Sequence, residues 1–204
     1  MTLLRRRFGL VLGWLALVGF TGAGPAEQGL DLYFIDVMGG AATLIVTPEK
    51  ESLLIDSGWP GFDDRDPKRI VHVLKEVAGL DHLDHLVTTH WHTDHYGGVE
   101  GLSRLVEINQ FWDRGLPDPS AEDGDAKRFP DGPKAGNPLG VAYRRASEGK
   151  RKTLRAGDRL PLKGVEVRVL ASGGEVVEVG GGQPYQECAS APPDHMPDPS
   201  DNAR

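Results

Sequence analysis

The chain has 204 residues, of which 39% are hydrophobic and 26% charged, so it is long enough to bury the core of one domain. Its 23 Lys and Arg residues are outnumbered by 30 Asp and Glu, which gives a formal net charge of −7 at pH 7. General nucleic-acid binding is not expected of so acidic a chain, because neutralising phosphates requires a basic surface.

The first 26 residues show the three parts of a secretory signal peptide. Arg5, Arg6 and Arg7 precede an uncharged apolar run over residues 8–20, and small residues at 24–26 form the predicted cleavage region. The run is short for a membrane span, which favours cleavage over the alternative of an uncleaved anchor. We therefore expect residues 1–26 to be removed on export to the periplasm or the extracellular space. No membrane segment is then expected in the mature form.

Three short strands are predicted next, over residues 30–37, 42–47 and 52–56, as a meander within one sheet. The first is interpreted as a buried strand with alternating character. A helix follows, for which Asp66 is the predicted N-cap and Pro67 the first helical residue. The i, i+3, i+4, i+7 rule predicts its buried face to be Ile70, Val73, Leu74 and Val77. Gly79 is expected to end it.

Beyond residue 80, predicted strands alternate with predicted helices. The strands cover residues 85–89, 107–113 and 165–170, and the helices cover 97–106 and 139–149. A long Pro-, Gly- and Asp-rich loop at 115–138 is of the kind that often forms a lid or a substrate wall. We place the folded domain at 27–172 and a Gly/Pro/Asp-rich loop or tail at 173–204. His72 is interpreted as a surface residue, and His82 and His85 as structural.

The chemistry of the chain is concentrated in residues 89–98, which read THWHTDHYGG. Three of the seven histidines and one aspartate fall within six residues there, and imidazole and carboxylate groups are the ligands that a zinc-class ion prefers. Because alternate residues of an extended loop share a side, His90 and His92 can face one point. Asp94 and His95 can face a second point, so the spacing suits two adjacent metal ions. The alternative is a histidine-rich loop without metal.

This motif, His-x-His-x-Asp-His followed by Gly-Gly, resembles the signature of the metallo-β-lactamase-fold hydrolases. The upstream segments FIDVMGGAATLI (34–45) and LLIDSG (53–58) resemble the ComEC/Rec2-related branch of that family. The resemblance implies an α/β (α+β) fold, the metallo-β-lactamase αββα sandwich. It implies that His90 and His92 bind a first metal and that Asp94 and His95 bind a second. Asp56 matches a supporting aspartate that buttresses the metal loop.

The resemblance also implies a function, namely hydrolysis by a metal-bound hydroxide with zinc as the expected ion, one or two per chain. Asp94 would then act in catalysis as well as in metal binding, by orienting the water or accepting its proton. The expected substrate is a phosphodiester or another ester-type small molecule outside the cytoplasm. A lactone or β-lactam is an alternative substrate, and redox chemistry at iron is an alternative activity.

Further metal ligands that the family takes from its second half do not appear in this chain. We therefore expect only the N-terminal portion of the sandwich, with the second half incomplete and the chain truncated at its C-terminus. A non-catalytic metal-binding fragment is accordingly a third interpretation.

Two further features bear on substrate binding. Asp113 and Arg114 end a predicted strand and are interpreted as a surface pair that could approach the site. Residues 144–168 carry nine basic residues against three acidic ones, which would suit a phosphate-bearing substrate. A solvated charged surface is the favoured interpretation of that stretch.

Overall fold

The computed structural model describes residues 29–116, 132–133 and 136–177. A six-stranded mixed sheet, ordered β1-β2-β3-β4-β5-β6, forms its centre. The strands of this sheet are β1 Asp31–Phe34, β2 Thr43–Val46, β3 Ser52–Ile55, β4 His82–Thr88, β5 Glu107–Asp113 and β6 Arg151–Thr153. The helices are α1 Arg65–His72, α2 Thr93–Tyr96, α3 Val99–Leu105 and α4 Pro138–Ala146. Two small hairpins pair β7 Arg159–Leu160 with β8 Val167–Arg168, and β9 Ala171–Ser172 with β10 Glu175–Val176.

The direction of the strands changes at β3. The first three strands are antiparallel, as the predicted meander requires, whereas β3, β4, β5 and β6 run parallel. The carboxyl ends of β3 to β6 therefore lie along one edge of the sheet, which is where open α/β sheets place their ligand sites.

One face of the sheet, which we call the inner face, is covered by the helices. Leu44, Leu54, Leu86 and Phe111 are aligned in register across four strands and are each at most 1% exposed. Side chains of α1, α3 and α4 complete this core, among them Ile70, Leu102 and Tyr143. Apolar residues at alternate positions of each strand therefore belong to one buried hydrophobic core.

The opposite face, which we call the outer face, is covered only in part. A smaller apolar cluster joins Leu53 and Trp112 to Leu154, Leu160 and Leu162. This cluster does not extend over β1, where the side chains of Leu32 and Phe34 are 51% and 83% exposed. The prediction of a buried first strand was therefore wrong. Phe34 pairs with Thr43 at the edge of the sheet, where nothing among the described residues packs over it.

Two predictions about the first helix were also wrong. Asp64, with positive φ, is the residue before α1, whereas Asp66 lies inside the first turn and accepts a hydrogen bond from the Trp59 backbone N–H. After His72 the helix widens into a single π-type turn, Val73–Val77, which changes the helical period before Val77. Ile70 and Leu74 are fully buried as expected, but Val77 is 56% exposed. Gly79 follows the helix with φ +72°, as predicted for its end.

Several expectations fall on parts of the chain outside the described residues. These are the signal peptide at 1–26, most of the loop at 115–138, and positions 178–204. The β9–β10 hairpin lies across the expected domain boundary at residue 172, and that boundary stays a prediction. Among the described residues, every helix is too short or too polar to span a bilayer.

Candidate metal centre

Asp56 is buried and holds in place residues 89–95, which we call the histidine loop or metal loop. It directly follows β3, is 2% exposed, and has φ 61°, a left-handed conformation that a non-glycine residue adopts only when its surroundings impose it. Its carboxylate accepts hydrogen bonds from the Thr89 backbone N–H at 2.8 Å, the Thr89 hydroxyl at 2.7 Å and His95 Nδ1 at 2.8 Å. One side chain therefore fixes the loop at both of its ends.

These hydrogen bonds assign the ring nitrogens of two histidines. Because the Asp56 carboxylate can only accept, Nδ1 of His95 carries the proton and Nε2 keeps its lone pair. The Thr89 hydroxyl uses its proton on Asp56, so its oxygen accepts from His90 Nδ1, which is 3.0 Å away. His90 likewise keeps a lone pair on Nε2. Metal-binding histidines are commonly oriented through this kind of contact at the other ring nitrogen.

The three imidazoles of the loop converge. The ring centroid of His90 lies 4.4 Å from that of His92 and 3.9 Å from that of His95, and the His92 and His95 rings are 6.3 Å apart. Asp94 completes the group, with its carboxylate 3.7 Å from Nε2 of His95. Asp94 and His95 lie on the short helix α2, a single turn that brings both of them back towards His90.

The surroundings of His90 favour the neutral form of its imidazole. Burial lowers the pKa of His90, and the neighbouring His95 and His92 lower it further. A neutral imidazole is the form that binds a metal ion.

Two backbone segments, at residues 40–41 and at Ser57, hold the loop against the sheet. Ser57 N–H donates to the His95 carbonyl at 2.7 Å, and Ala41 N–H donates to the Asp94 carbonyl at 3.2 Å. The contact at Gly40 is so close that a Cβ there would lie 2.3 Å from the Asp94 carbonyl oxygen. A side chain at position 40 would therefore push the metal loop away, which explains a glycine in this turn. Sequence reasoning did not assign these supporting roles to Gly40 and Ser57.

The donor set fits a zinc-class ion in its chemistry, since it combines three imidazoles with a carboxylate and a supporting aspartate. Within the described ranges, however, no group of three or more His, Cys, Asp or Glu side chains is arranged to hold a metal ion. The structure brings the predicted residues together without closing them into one coordination geometry. Their roles as ligands remain predictions.

Asp113 is not part of a surface pair, as the sequence had suggested. It is fully buried at the end of β5, and its carboxylate accepts from Arg151 Nε at 2.6 Å and from the Tyr143 hydroxyl at 2.9 Å. Burial raises the pKa of Tyr143 well above its usual value, and the charge of Asp113 raises it further. This buried ion pair joins α4 and β6 to the edge of the sheet that carries the metal loop.

The other histidines of β4 lie outside the group. Nδ1 of His85 accepts a hydrogen bond from the indole N–H of Trp112 at 3.1 Å. His82 contacts Asp81 at 2.6 Å and Asp84 at 3.2 Å, at the amino end of the strand and away from the loop.

Comparisons with known proteins found similarities in sequence and in structure. Residues 35–134 match the family model described as the Metallo-beta-lactamase superfamily. A "Beta-lactamase-like protein 2 homolog" from Caenorhabditis elegans is 29% identical over 66 residues, which cover 31% of this chain and 21% of that protein.

Similar solved structures include the metallo-beta-lactamase SMB-1 in a complex with mercaptoacetic acid. It has a TM-score of 0.44 and 17% identity, over 70% of this chain and 50% of that one. A Beta-lactamase domain protein from Burkholderia ambifaria has a TM-score of 0.42 and 17% identity, over 74% of this chain and 51% of that one. The chain thus spans about half the length of these structures and about a fifth of the nematode protein. Over residues 35–134 the sequence is thus similar to the Metallo-beta-lactamase superfamily, and the described residues form a mixed α/β sheet fold.

Proposed function

We propose that this protein is a metal-dependent hydrolase that acts on a phosphodiester or another ester-type bond. The observation that carries the proposal is the packing of His90, His92 and His95 against one another in a loop that the buried Asp56 holds in place. Asp56 is buried, and the hydrogen bonds that it accepts from Thr89 and His95 compensate its charge and fix the loop. The resemblance to the ComEC/Rec2-related branch supports a phosphodiester substrate.

In this proposal His90 and His92 would hold one zinc-class ion, and Asp94 and His95 would hold a second. Such an ion lowers the pKa of bound water to about 7 and so supplies hydroxide at neutral pH. Asp56 keeps Nε2 of His95 directed at the centre, and the Thr89 hydroxyl does the same for His90. Asp94, whose carboxylate lies 3.7 Å from Nε2 of His95, would bind the metal and take the proton of the attacking water.

The test combines metal content with turnover. The purified protein is loaded with zinc, its zinc per chain is measured by atomic absorption, and hydrolysis of bis(p-nitrophenyl) phosphate is followed. We expect one to two zinc ions per chain, and we expect turnover that His92→Ala abolishes and that Asp94→Asn lowers at least about a hundredfold. His72→Ala is the matched control, because His72 is exposed on α1 and away from the loop. Turnover that His92→Ala leaves unchanged would overturn the proposal.

A second function is favoured by one specific observation. The potential ligands His90, His92, Asp94 and His95 share one loop, but no three of the described side chains surround one point, which suits weak metal binding without catalysis. That reading predicts one zinc ion or fewer per chain, and no turnover above the His92→Ala background with phosphodiester, lactone and β-lactam substrates.

We also propose that the protein is exported. The support is the composition of residues 1–26, with three arginines before an apolar run. Expression of the full chain in a bacterium, followed by mass spectrometry of the periplasmic fraction, tests this. A mature protein that begins near residue 27 is the expected result, whereas uncleaved protein in the cytoplasm would refute the proposal.

A further inference from the structure

A tryptophan lies inside the histidine loop, between two of its imidazoles. Trp91 is 7% exposed, whereas His90 and His92 on either side of it are only partly buried. Loops usually run over the surface, where water can satisfy their backbone polar groups, so a large buried side chain within one requires an explanation. The indole packs edge-to-face on Tyr96 and on Tyr143, with ring centroids 5.3 Å and 5.0 Å apart, in the core of the inner face.

The burial of Trp91 influences the direction of the histidines beside it. The backbone at His92 is extended, with φ −73° and ψ 141°, so its side chain and that of Trp91 leave the chain on opposite sides. With the indole in the core, the imidazole of His92 is turned away from the core, and its ring centroid lies 4.4 Å from that of His90. The buried ring therefore holds these two predicted ligands together on the accessible side of the loop.

A buried hydrogen bond fixes the rotation of the indole. Trp91 Nε1–H donates to the Gly115 carbonyl at 3.0 Å, and both groups are buried. Gly115 has φ 112°, a region that glycine enters readily, and its own N–H donates to the Asp113 carboxylate at 2.8 Å. Asp113 is the same carboxylate that accepts from Arg151 and Tyr143. The histidine loop is therefore tied through Trp91 to the buried ion pair at the end of β5.

We propose that Trp91 is a positioning residue of the metal centre, whose buried indole N–H fixes the spacing and direction of His90 and His92. This inference rests on the proposed hydrolase function and deepens it, because it adds a residue that acts through its neighbours instead of binding the metal itself. Without the indole N–H, the Gly115 carbonyl would be buried without this donor and the ring would be free to turn. Such a turn would shift the backbone on both sides of Trp91, and with it both imidazoles.

A second tryptophan supplies a matched control. Trp112 is also 7% exposed and also donates its indole N–H in a buried hydrogen bond, to His85 Nδ1 at 3.1 Å, but it lies on β5 and outside the histidine loop. Trp91→Phe and Trp112→Phe each remove one buried N–H and leave a similar space, so we expect comparable falls in their urea midpoints. Zinc affinity, measured by competition with a chromogenic chelator, should fall about tenfold in Trp91→Phe and stay within about twofold in Trp112→Phe. Equal losses of zinc affinity in the two variants would overturn the proposal.

The placement of the imidazoles can be measured without metal or turnover. In metal-free protein, nuclear Overhauser effects between the ring protons of His90 and His92 report the distance between the two rings. We expect these signals to weaken in Trp91→Phe and to keep their intensity in Trp112→Phe. Undiminished signals in Trp91→Phe would overturn the proposal, whatever the turnover assay gives.

Turnover then separates this inference from the proposed function. In zinc-saturated protein, Trp91→Phe should lower kcat for bis(p-nitrophenyl) phosphate about tenfold and leave KM within about twofold, since it displaces the ligands rather than the contacts of the substrate. Turnover that depends on His92 but is unchanged in Trp91→Phe would overturn the role of Trp91 and leave the hydrolase. Weaker ring contacts in Trp91→Phe, without turnover in any variant, would overturn the hydrolase and support the positioning of the histidines by Trp91.

Discussion

The inner and outer faces of the central sheet are built from the same strands, yet they differ in how completely other elements cover them. On the inner face, the row from Leu44 to Phe111 is sealed under three helices and excludes water. On the outer face, two short hairpins cover β3 to β5, a cleft remains beneath them, and β1 is bare. Alternation along a strand assigns residues to two faces, but only packing decides what each face contributes.

The difference suggests a division of roles. The inner face supplies the rigid support, because the buried carboxylates of Asp56 and Asp113 both lie at the sheet edge that this core holds in place. The outer face supplies accessible space beside the metal loop. A site that must hold ligands still and also admit a substrate needs both properties. The predictions below test whether stability and function are divided between the two faces in this way.

The largest expected contrast is between two phenylalanines. Phe111→Ala on the inner face should lower the free energy of unfolding by about 3–5 kcal/mol, since it removes a side chain that is 1% exposed and leaves a cavity. Phe34→Ala on β1, where the side chain is 83% exposed, should change it by no more than about 0.5 kcal/mol. Urea denaturation followed by circular dichroism measures both. Comparable losses would mean that the outer face near β1 is covered after all.

The support given to the metal loop is the next effect in size. Asp56→Asn keeps the size of the side chain but removes the charge that Thr89 and His95 donate to. We expect zinc affinity to fall about 10–100-fold, the usual consequence of losing an oriented partner behind a ligand. Competition with a chromogenic chelator measures it. Asp36→Asn is the control, because Asp36 lies on the surface and binds Arg69. Unchanged zinc affinity in Asp56→Asn would show that the loop keeps its conformation without the charge of Asp56.

A finer contrast comes from two neighbouring leucines of β3. Leu54 points into the inner core and Leu53 lines the cleft, although both are at most 1% exposed. Leu54→Ala should cost about 3–5 kcal/mol, whereas Leu53→Ala should cost about 2–3 kcal/mol, because the space it leaves opens into the cleft instead of forming a sealed cavity. Chemical denaturation of the two variants under the same conditions gives the comparison. A larger loss at Leu53 would contradict the proposed ranking.

These contrasts also show what the sequence could and could not reveal. The meander, the strand β5 and the grouping of His90, His92, Asp94 and His95 depend on local patterns, and local patterns are visible in a sequence. The ion pair of Asp113 with Arg151 joins residues 38 positions apart, and no spacing rule predicts such a contact. The bare edge of β1 was missed for a related reason, since alternation gives the same signal whether or not a face is covered.

The exposure of Val77 was missed because one π-type turn changes the helical period. The contacts of Gly40 and Ser57 with the backbone of α2 likewise depend on tertiary packing. What reasoning from the sequence lacked in each case was knowledge of which segments meet.

The smallest expected effect is a pH dependence that originates in the outer face. His85 shares that face with Leu53, and burial lowers its pKa below the unfolded value of about 6.5. The unfolded chain therefore binds more protons than the folded chain, so the contribution of His85 is complete above pH 6.5 and is lost as the pH falls towards the folded pKa. His82 acts in the opposite sense, because its contact with Asp81 raises its pKa and its contribution is lost as the pH rises.

His85→Gln isolates this effect, since its amide oxygen can still accept from the Trp112 indole N–H without titrating. Urea midpoints at pH 7.5 and pH 5.5, measured with chelator present, should fall less on acidification in His85→Gln than in the unmodified protein. His82→Gln should make the fall steeper, but only slightly, because its ring is 42% exposed and its interactions are screened. Identical acid sensitivity in all three proteins would mean that the cleft hydrates His85 and that even the covered part of the outer face is open to water.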